Sequence, residues 1–546
     1  MSKLLKSIRR KYCQKIFRPN EKPLSSGFFI FVELLLIFNY LNMKVFFTLL
    51  SALSLLSATA QNTLVSSGNV FEGEPFLAVN PQNEQHLVAA WMGFQFNQKI
   101  VIKSVVSLDG GSTWSAPVWQ AHQQAGNSSA DVSLGFDLNG NLYMAYIDYD
   151  NISFTNGAVI CRKSTNGGLN WGAAVVARSI ASCPNKLCID RPWIAVDPLT
   201  GSIAITSTNA KQPALVQAPY HPYLAISSDE GASFSLQELD AAPFLAGNAI
   251  PQPMPSPAFA NDGTFMSLYP SYDPSQSILT RIVEVNKTVP SSSYTYQSAL
   301  QGLGFGTSND TLKSGPHLAL NPNNSSRGTY FFITEVFGDP DIAFIEKTGS
   351  TWSAPARVNN DAQGNGIIQD LVWADYDTDG DLAVCWRDRR NGTPGTYSSA
   401  SQIFCRIQSN QAWGAEFTIS PIVAHDSILL ENGNDFLNVQ FQNNQLYTLW
   451  GDVRSGSLKI YLNRYNQNDS SNFVQQIPTS LPVYPNPSLG IFEVPTVCYG
   501  QVFEVSNQDG KVVLNGNLQH QLDLSSFPTG TYFLSVGGQQ FKLLKN

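Results

Sequence analysis

Seven times along the chain, apolar residues alternate with polar ones into a short Asp/Asn-Pro/Gly turn. A second apolar run then follows, often ending in Trp or Tyr and a charge. The copies occupy residues 76–91, 133–148, 193–208, 256–271, 317–336, 371–386 and 436–450, and their starts differ by 54 to 65 residues. Period-2 alternation around a turn predicts a β-hairpin. In the first copy it predicts strands at 76–81 and 86–91, with a third at 99–107 and a fourth at 114–120. A long period of four antiparallel strands predicts a radial all-β array with one blade per repeat. The count gives a seven-bladed β-propeller, or a six-bladed one if one copy is irregular. Either way, loops from distant repeats converge at one end of a central axis.

The first 60 residues fall outside that pattern. Met43 and Lys44 precede an apolar run that ends in Ala58-Thr59-Ala60, which reads as a signal peptide over 43–60. Residues 1–42 read as a mis-called extension upstream of Met43. The alternative is an N-terminal membrane anchor, for which the apolar run 28–41 is short. With 14% charged residues, 40 Gly, 31 Pro and a net charge of −8, the chain suits an exported all-β protein. It shows no basic stripe for nucleic acid. Export permits disulfides, and Cys183 with Cys188 and Cys385 with Cys405 are plausible bridges; Cys161 and Cys498 have no obvious partner.

The hairpin Ser107-Leu108-Asp109-Gly110-Gly111-Ser112-Thr113-Trp114 returns at 164–171 and 227–234, and in worn form at 347–352 and before Trp413. It resembles the Asp-box of sialidases and related propellers, a structural turn on the face away from their active sites. The segment beginning Val483-Tyr484-Pro485-Asn486-Pro487 and ending Lys542-Leu543-Leu544-Lys545 resembles the type A sorting domain of type IX secretion. The two resemblances imply a sialidase-like propeller over 61–475 and a small C-terminal β-sandwich over 476–546. They also imply passage through the type IX machinery to the medium or the outer-membrane surface. An ordinary carbohydrate-binding sandwich is the alternative for the second segment.

Strand order places the loops before first strands and after second strands at one end. Glu74, Asp131, Asp190 and Arg191 fall before first strands. Asp148, Asp150, Glu335, Arg387, Asp388, Arg389, Arg390, Asp452 and Arg454 follow second strands. Arginine forks bind carboxylates in parallel pairs, and enclosed carboxyls serve as acid or base. The expected catalytic set is therefore Asp388, Glu335 and Asp131. Arg191, Arg389, Arg390, Arg454, Glu74, Asp190 and Asp452 are expected to bind substrate. Each also has a structural reading, as a turn cap or as a clasp in Trp386-Arg387-Asp388 and Trp450-Gly451-Asp452. Asp375, Asp377, Asp379 and Asp381 open like a calcium loop, but Trp386 stands where its closing Glu belongs, so the choice is structural calcium or a tight acidic turn. No other cofactor is implied.

The Arg-Ile-Pro motif of sialidases is absent; Glu74-Pro75-Phe76 stands in its place. Two functions follow. One is a monomeric glycoside hydrolase acting on glycans at the funnel. The other is a non-catalytic propeller that binds carbohydrate or a cell-surface protein.

Overall fold

The computed structural model describes residues 62–68, 70–96, 99–212, 214–273, 279–288, 293–302, 315–421, 434–468, 486–494, 502–508, 510–518, 521–536 and 539–546. The leader and signal segment, Cys498, His425 and the opening Val483-Tyr484-Pro485 lie outside them. The chain is all-β, as the alternation predicted. Among the described residues, seven antiparallel sheets of four or five strands precede the C-terminal segment. Each is a run of sequence-adjacent strands. The first is Glu72–Asn80, Asn83–Gln95, Lys99–Ser107 and Val118–Trp119 in spatial order.

The seventh sheet differs in one respect. Its strands Leu437–Gln442, Gln445–Asp452 and Lys459–Asn466 are joined at the outer edge by Thr63–Leu64, from the start of the described chain. The two ends of the array are thus hydrogen-bonded into one sheet.

The first strands of the seven sheets lie innermost. They are Glu72–Asn80, Ser128–Phe136, Asp190–Val196, Ser256–Phe259, His317–Leu320, Gln369–Tyr376 and Leu437–Gln442. Each touches the next, and the last touches the first, in a closed cycle. Short polar side chains stitch neighbours together. Leu77 N–H donates to Asn438 Oδ1 (3.1 Å), Ile194 N–H to Ser133 Oγ (3.1 Å) and Leu318 N–H to Ser256 Oγ (2.9 Å). Inside the cycle an aromatic cluster fills the axis. Trp193 lies 5.0 Å from Trp373 and 4.9 Å from Phe436 between ring centroids, and Phe76 lies 5.4 Å from Trp373. His317 stacks on Trp373 at 4.0 Å and bonds the Ala374 carbonyl, and burial pushes its pKa down to about 3, so it is a neutral core residue.

The Ser-x-Asp-x-Gly hairpins lock sheet to sheet. Ser107 Oγ accepts Gly111 N–H (2.8 Å), and Asp109 accepts both the N–H and the hydroxyl of Thr113 (2.8 and 2.6 Å). The pattern repeats at Ser164 with Asn166 and at Ser227 with Asp229. The glycines Gly111, Gly168 and Gly231 have φ of +85°, +92° and +84°, and each lies against a side chain of the preceding sheet: Leu462, Val88 and Cys161. Cys183–Cys188 and Cys385–Cys405 are bonded, whereas Cys161 is a buried thiol pushed up to about 12 by desolvation.

In the C-terminal segment, the strand pair Ile491–Glu493 and Gln521–Asp523 and the four-stranded sheet Val512–Asn517, Val502–Asn507, Gly530–Val536, Gln539–Lys545 share a core. It includes Phe492, Val505, Leu522, Leu534 and Leu543.

Gly111→Ala and Gly201→Ala both place a side chain at positive φ, but only Gly111 faces a neighbour, the Leu462 side chain of the seventh sheet. Urea unfolding is expected to show Gly111→Ala less stable than Gly201→Ala by about 1–3 kcal/mol. Equal losses would contradict the contact between the first and last sheets.

Candidate functional site

At one end of the aromatic cluster, four inner strands kink at the same place. Their registers shift between Gly73 and Phe76, Ala130 and Ser133, Asp190 and Trp193, and Asp370 and Trp373. The bulged residues Glu74, Asp131, Arg191 and Leu371 have φ of 53°, 53°, 48° and 53°. A left-handed backbone at a non-glycine residue costs about 1–3 kcal/mol, and bulges re-aim side chains. Here three of the four bulged residues are charged, and they meet.

Asp131 Oδ2 accepts the Arg191 backbone N–H (3.0 Å), while the Arg191 guanidinium bonds Asp435 Oδ2 (3.0 Å) and lies over the Phe436 ring at 5.5 Å. Glu74 is 4% exposed. Burial first, then the charges of Asp131 and Asp435, hold its pKa well above the usual carboxylate range. Burial and Asp131 do the same to Asp190, which also accepts Gln252 Nε2 (2.5 Å). After burial, the Asp131 charge is the largest cause of the rise in both. A nearby carboxylate disfavours the charged form of a buried carboxyl. Burial alone would lower the Arg191 pKa; Asp435, Asp190, Asp131 and Glu74 outweigh it and raise it. Sheets one, two, three and seven therefore contribute one interacting cluster.

The neighbouring arginines are held differently. Asp370 is fully buried and takes Arg387 Nε and Nη2 (2.7 and 2.6 Å) together with Arg389 Nη1 (2.9 Å). Burial would raise the Asp370 pKa, but the two guanidiniums hold it below the carboxylate range. Tyr397 closes the group, its hydroxyl accepting from Arg387 (2.6 Å) and its ring 4.2 Å from the Arg389 guanidinium.

Expected and observed positions differ for several residues. Asp388 has no exposed surface: its carboxylate accepts Trp386 Nε1 (3.0 Å) and Arg390 (3.1 and 2.8 Å), and Arg390 also pairs with Glu416 (2.7 Å). The seventh sheet repeats this clasp with Trp450, Asp452 and Arg454, and Arg454 further bonds Asn62 (2.8 Å). Asp388, Arg390, Asp452 and Arg454 are thus engaged with partners in their own sheets. Glu335 lies partly exposed in the turn after the fifth sheet's second strand.

The acidic run at 375–381 is tied to neighbouring segments by hydrogen bonds. Asp375 accepts Phe441 N–H (2.9 Å), Asp377 accepts Asn443 N–H (2.7 Å) and Asn444 N–H (2.5 Å), and Asp381 accepts Ser409 Oγ (2.5 Å) and Gln467 Nε2 (2.8 Å). Three of the four carboxylates expected to ligate calcium receive donors from other segments; Asp379 is exposed and caps Asp381 N–H (3.1 Å). Asp148 organises a loop, taking His122 Nδ1 at 2.9 Å. Ser129 Oγ approaches that same nitrogen (3.1 Å), so no relay runs through the imidazole. Asp435 and Asp370 were not among the expected site residues, although Asp370, like Glu74, lies near the start of an inner strand and Asp435 lies two residues before one.

This combination of sheet array and sorting tail defines a class, an exported all-β repeat protein. Residues 482–546 match the family model described as a secretion system C-terminal sorting domain. The segment is a type IX sorting domain, and the chain is directed to the extracellular space or the cell surface. No curated protein sequence matches the chain. Three solved structures are similar in architecture. The phage phi92 endosialidase shares 12% identity, with 86% of this chain and 76% of that one covered and a TM-score of 0.41. The NanB sialidase of Streptococcus pneumoniae shares 13%, covering 75% and 70%, at 0.38. An alpha-L-arabinanase of Penicillium chrysogenum shares 14%, covering 60% and 92%, at 0.38. The fold described above stands on the sheet topology and not on these likenesses.

Asp370→Asn would leave two buried guanidiniums without their counter-charge. It is expected to lower stability by about 3–5 kcal/mol in urea unfolding; a loss below about 1 kcal/mol would contradict the pairing. Glu74 gives a pH signature. Its folded pKa lies above its unfolded one, so the folded state binds the extra proton and stability falls as pH rises above the ordinary Glu value of about 4.3. Measured from pH 4 to pH 8, Glu74→Gln should gain on the native protein as pH rises; a constant difference would contradict the burial of this carboxyl.

Proposed function

We propose that the seven sheets are the blades of a seven-bladed Asp-box β-propeller over 61–475, exported through a signal at 43–60 and carried outward by a C-terminal β-sandwich at 476–546. Its mouth recognises glycans. The observation that carries this reading is the convergence of Glu74, Asp131, Asp190, Arg191 and Asp435 from four sheets onto one end of the axis. Clustered carboxyl oxygens accept sugar hydroxyls, and the bulges hold them in place before any ligand arrives.

One observation also favours hydrolysis. Glycoside cleavage needs a carboxylic acid that keeps its proton and a second carboxyl nearby. Glu74 and Asp190, both raised in pKa, flank Asp131. The acid–base role expected of Asp388 and Glu335 passes to this trio. The machinery of type IX secretion is the other partner.

The test is a glycan array and a panel of fluorogenic glycosides, run with the mature protein and with Asp131→Asn. Glycan binding weakened at least about tenfold in the variant is expected, and turnover lost with it would add hydrolysis. A mature protein that binds no glycan and turns over no glycoside would contradict the proposal.

A further inference from the structure

Beside the charged cluster, between the second and third sheets, lies a cavity of about 220 Å³. At about 30 Å³ per water it has room for some seven waters, which suits one sugar ring rather than an oligosaccharide. Asp131 and Asp190 line it, together with the partly exposed Tyr149, Phe154, Asn156 and Gln212 at its rim. Ile147, Leu187 and Ile189 add buried apolar lining.

The cavity's walls are held in place. Asp150 fixes the rim loop by accepting Ile152 N–H (3.0 Å) and Ser153 N–H (3.1 Å), and Phe154 N–H donates to the Asp150 carbonyl (3.1 Å). The Cys183–Cys188 disulfide closes the loop that carries Leu187, whose carbonyl takes Ala210 N–H (3.0 Å) from the third sheet. Backbone strain gathers here too: Phe154, Leu187 and Asp131 have φ of 53°, 44° and 53°. Bulky residues rarely adopt such angles, and strain of this kind persists where the surrounding structure enforces it, most often at ligand sites. The two rim rings lie 5.9 Å apart at 33°.

The cavity's electrostatics select against an anion. The Arg191 guanidinium beside it is bonded to Asp435, and Arg387 and Arg389 are bonded to Asp370. Lys211 lines the cavity, but a ligand carboxylate there would lie against the Asp131 carboxylate. A neutral ring instead offers hydroxyl donors to carboxyl acceptors and a C–H face to aromatic rings.

We propose that this cavity is the site at which the mouth seats a single uncharged sugar residue, packed against Tyr149 and Phe154 and hydrogen-bonded to Asp131, Asp190, Asn156 and Gln212. The inference rests on the reading that the mouth recognises glycans. It adds the location of the binding site and the class of sugar.

The mature protein is tested on an array of neutral, sialylated and uronic-acid-terminated oligosaccharides, beside Phe154→Ala, Phe154→Gly, Asn156→Ala and the distant Leu199→Ala. The expected result is preference for neutral glycans, weakened at least about tenfold by the Phe154 and Asn156 variants and unchanged in Leu199→Ala. Phe154→Gly relieves the left-handed strain, so its Tm should equal or exceed that of the native protein while binding weakens, which a merely structural Phe154 would not show. Neutral-glycan binding that survives all three rim variants would overturn the site yet keep the glycan reading. Binding confined to sialylated or uronic glycans would overturn the sugar class. If no glycan is bound at all, both readings fail.

Discussion

Everything at the charged mouth depends on how the inner strands close around the axis. Phe76, Trp193, Trp373 and Phe436 come from four different sheets, and their rings meet in the centre. An aromatic side chain buries roughly 150–250 Å² and is a large source of packing energy. Each ring can reach the centre only if its strand lies innermost. The residues that precede these rings are then delivered to one end of the axis: Glu74 stands two positions before Phe76, Arg191 two before Trp193 and Asp435 one before Phe436. Apolar packing thereby brings together charges as far apart in sequence as Arg191 and Asp435.

The cluster runs against the usual logic of stability. Burying carboxyls beside one another disfavours their ionised forms, and left-handed backbone at Glu74, Asp131 and Arg191 adds strain. The rest of the array offsets these costs with turns whose carboxylates accept backbone N–H groups and with clasps such as Trp386–Asp388–Arg390. Charged residues therefore divide into two populations. Those of the clasps and acidic turns are satisfied within the framework. On the bulges, Glu74 crowds against Asp131, while Arg191 is held by Asp435.

Much of this was legible in the sequence. Alternation and period gave the sheets, the Ser-x-Asp-x-Gly hairpins gave the turns, and the cysteine spacings gave both bridges. Strand order alone predicted that Glu74, Asp131, Asp190 and Arg191 lie at a common end, because strand direction alternates regularly. The direction a strand-end carboxylate faces was not legible. Asp388 and Asp131 both adjoin inner or second strands, but Asp388 lies two residues from a tryptophan N–H and an arginine fork that capture it. Asp131 is set against the Arg191 backbone by a bulge visible only in the register. The calcium-like spacing at 375–381 likewise does not show which neighbours its carboxylates meet; Asp377 accepts from the hairpin at 443–444. The two-residue strand Thr63–Leu64 is too short to leave any periodic trace.

Closure of the ring is the claim on which the site stands, and a distance between its first and last sheets tests it most directly. Glu84 and Asn443 sit in the first-strand hairpins of those sheets, with Asn443 Nδ2 2.7 Å from Glu84 Oε2 across 359 residues of chain. With Cys161 and Cys498 replaced by serine, spin labels at Cys-substituted positions 84 and 443 would be measured by pulsed electron resonance. A closed ring predicts one short distance, limited by the label arms. An open stack of seven sheets at about 10 Å each would separate the labels by roughly 60 Å, and that result would contradict the account.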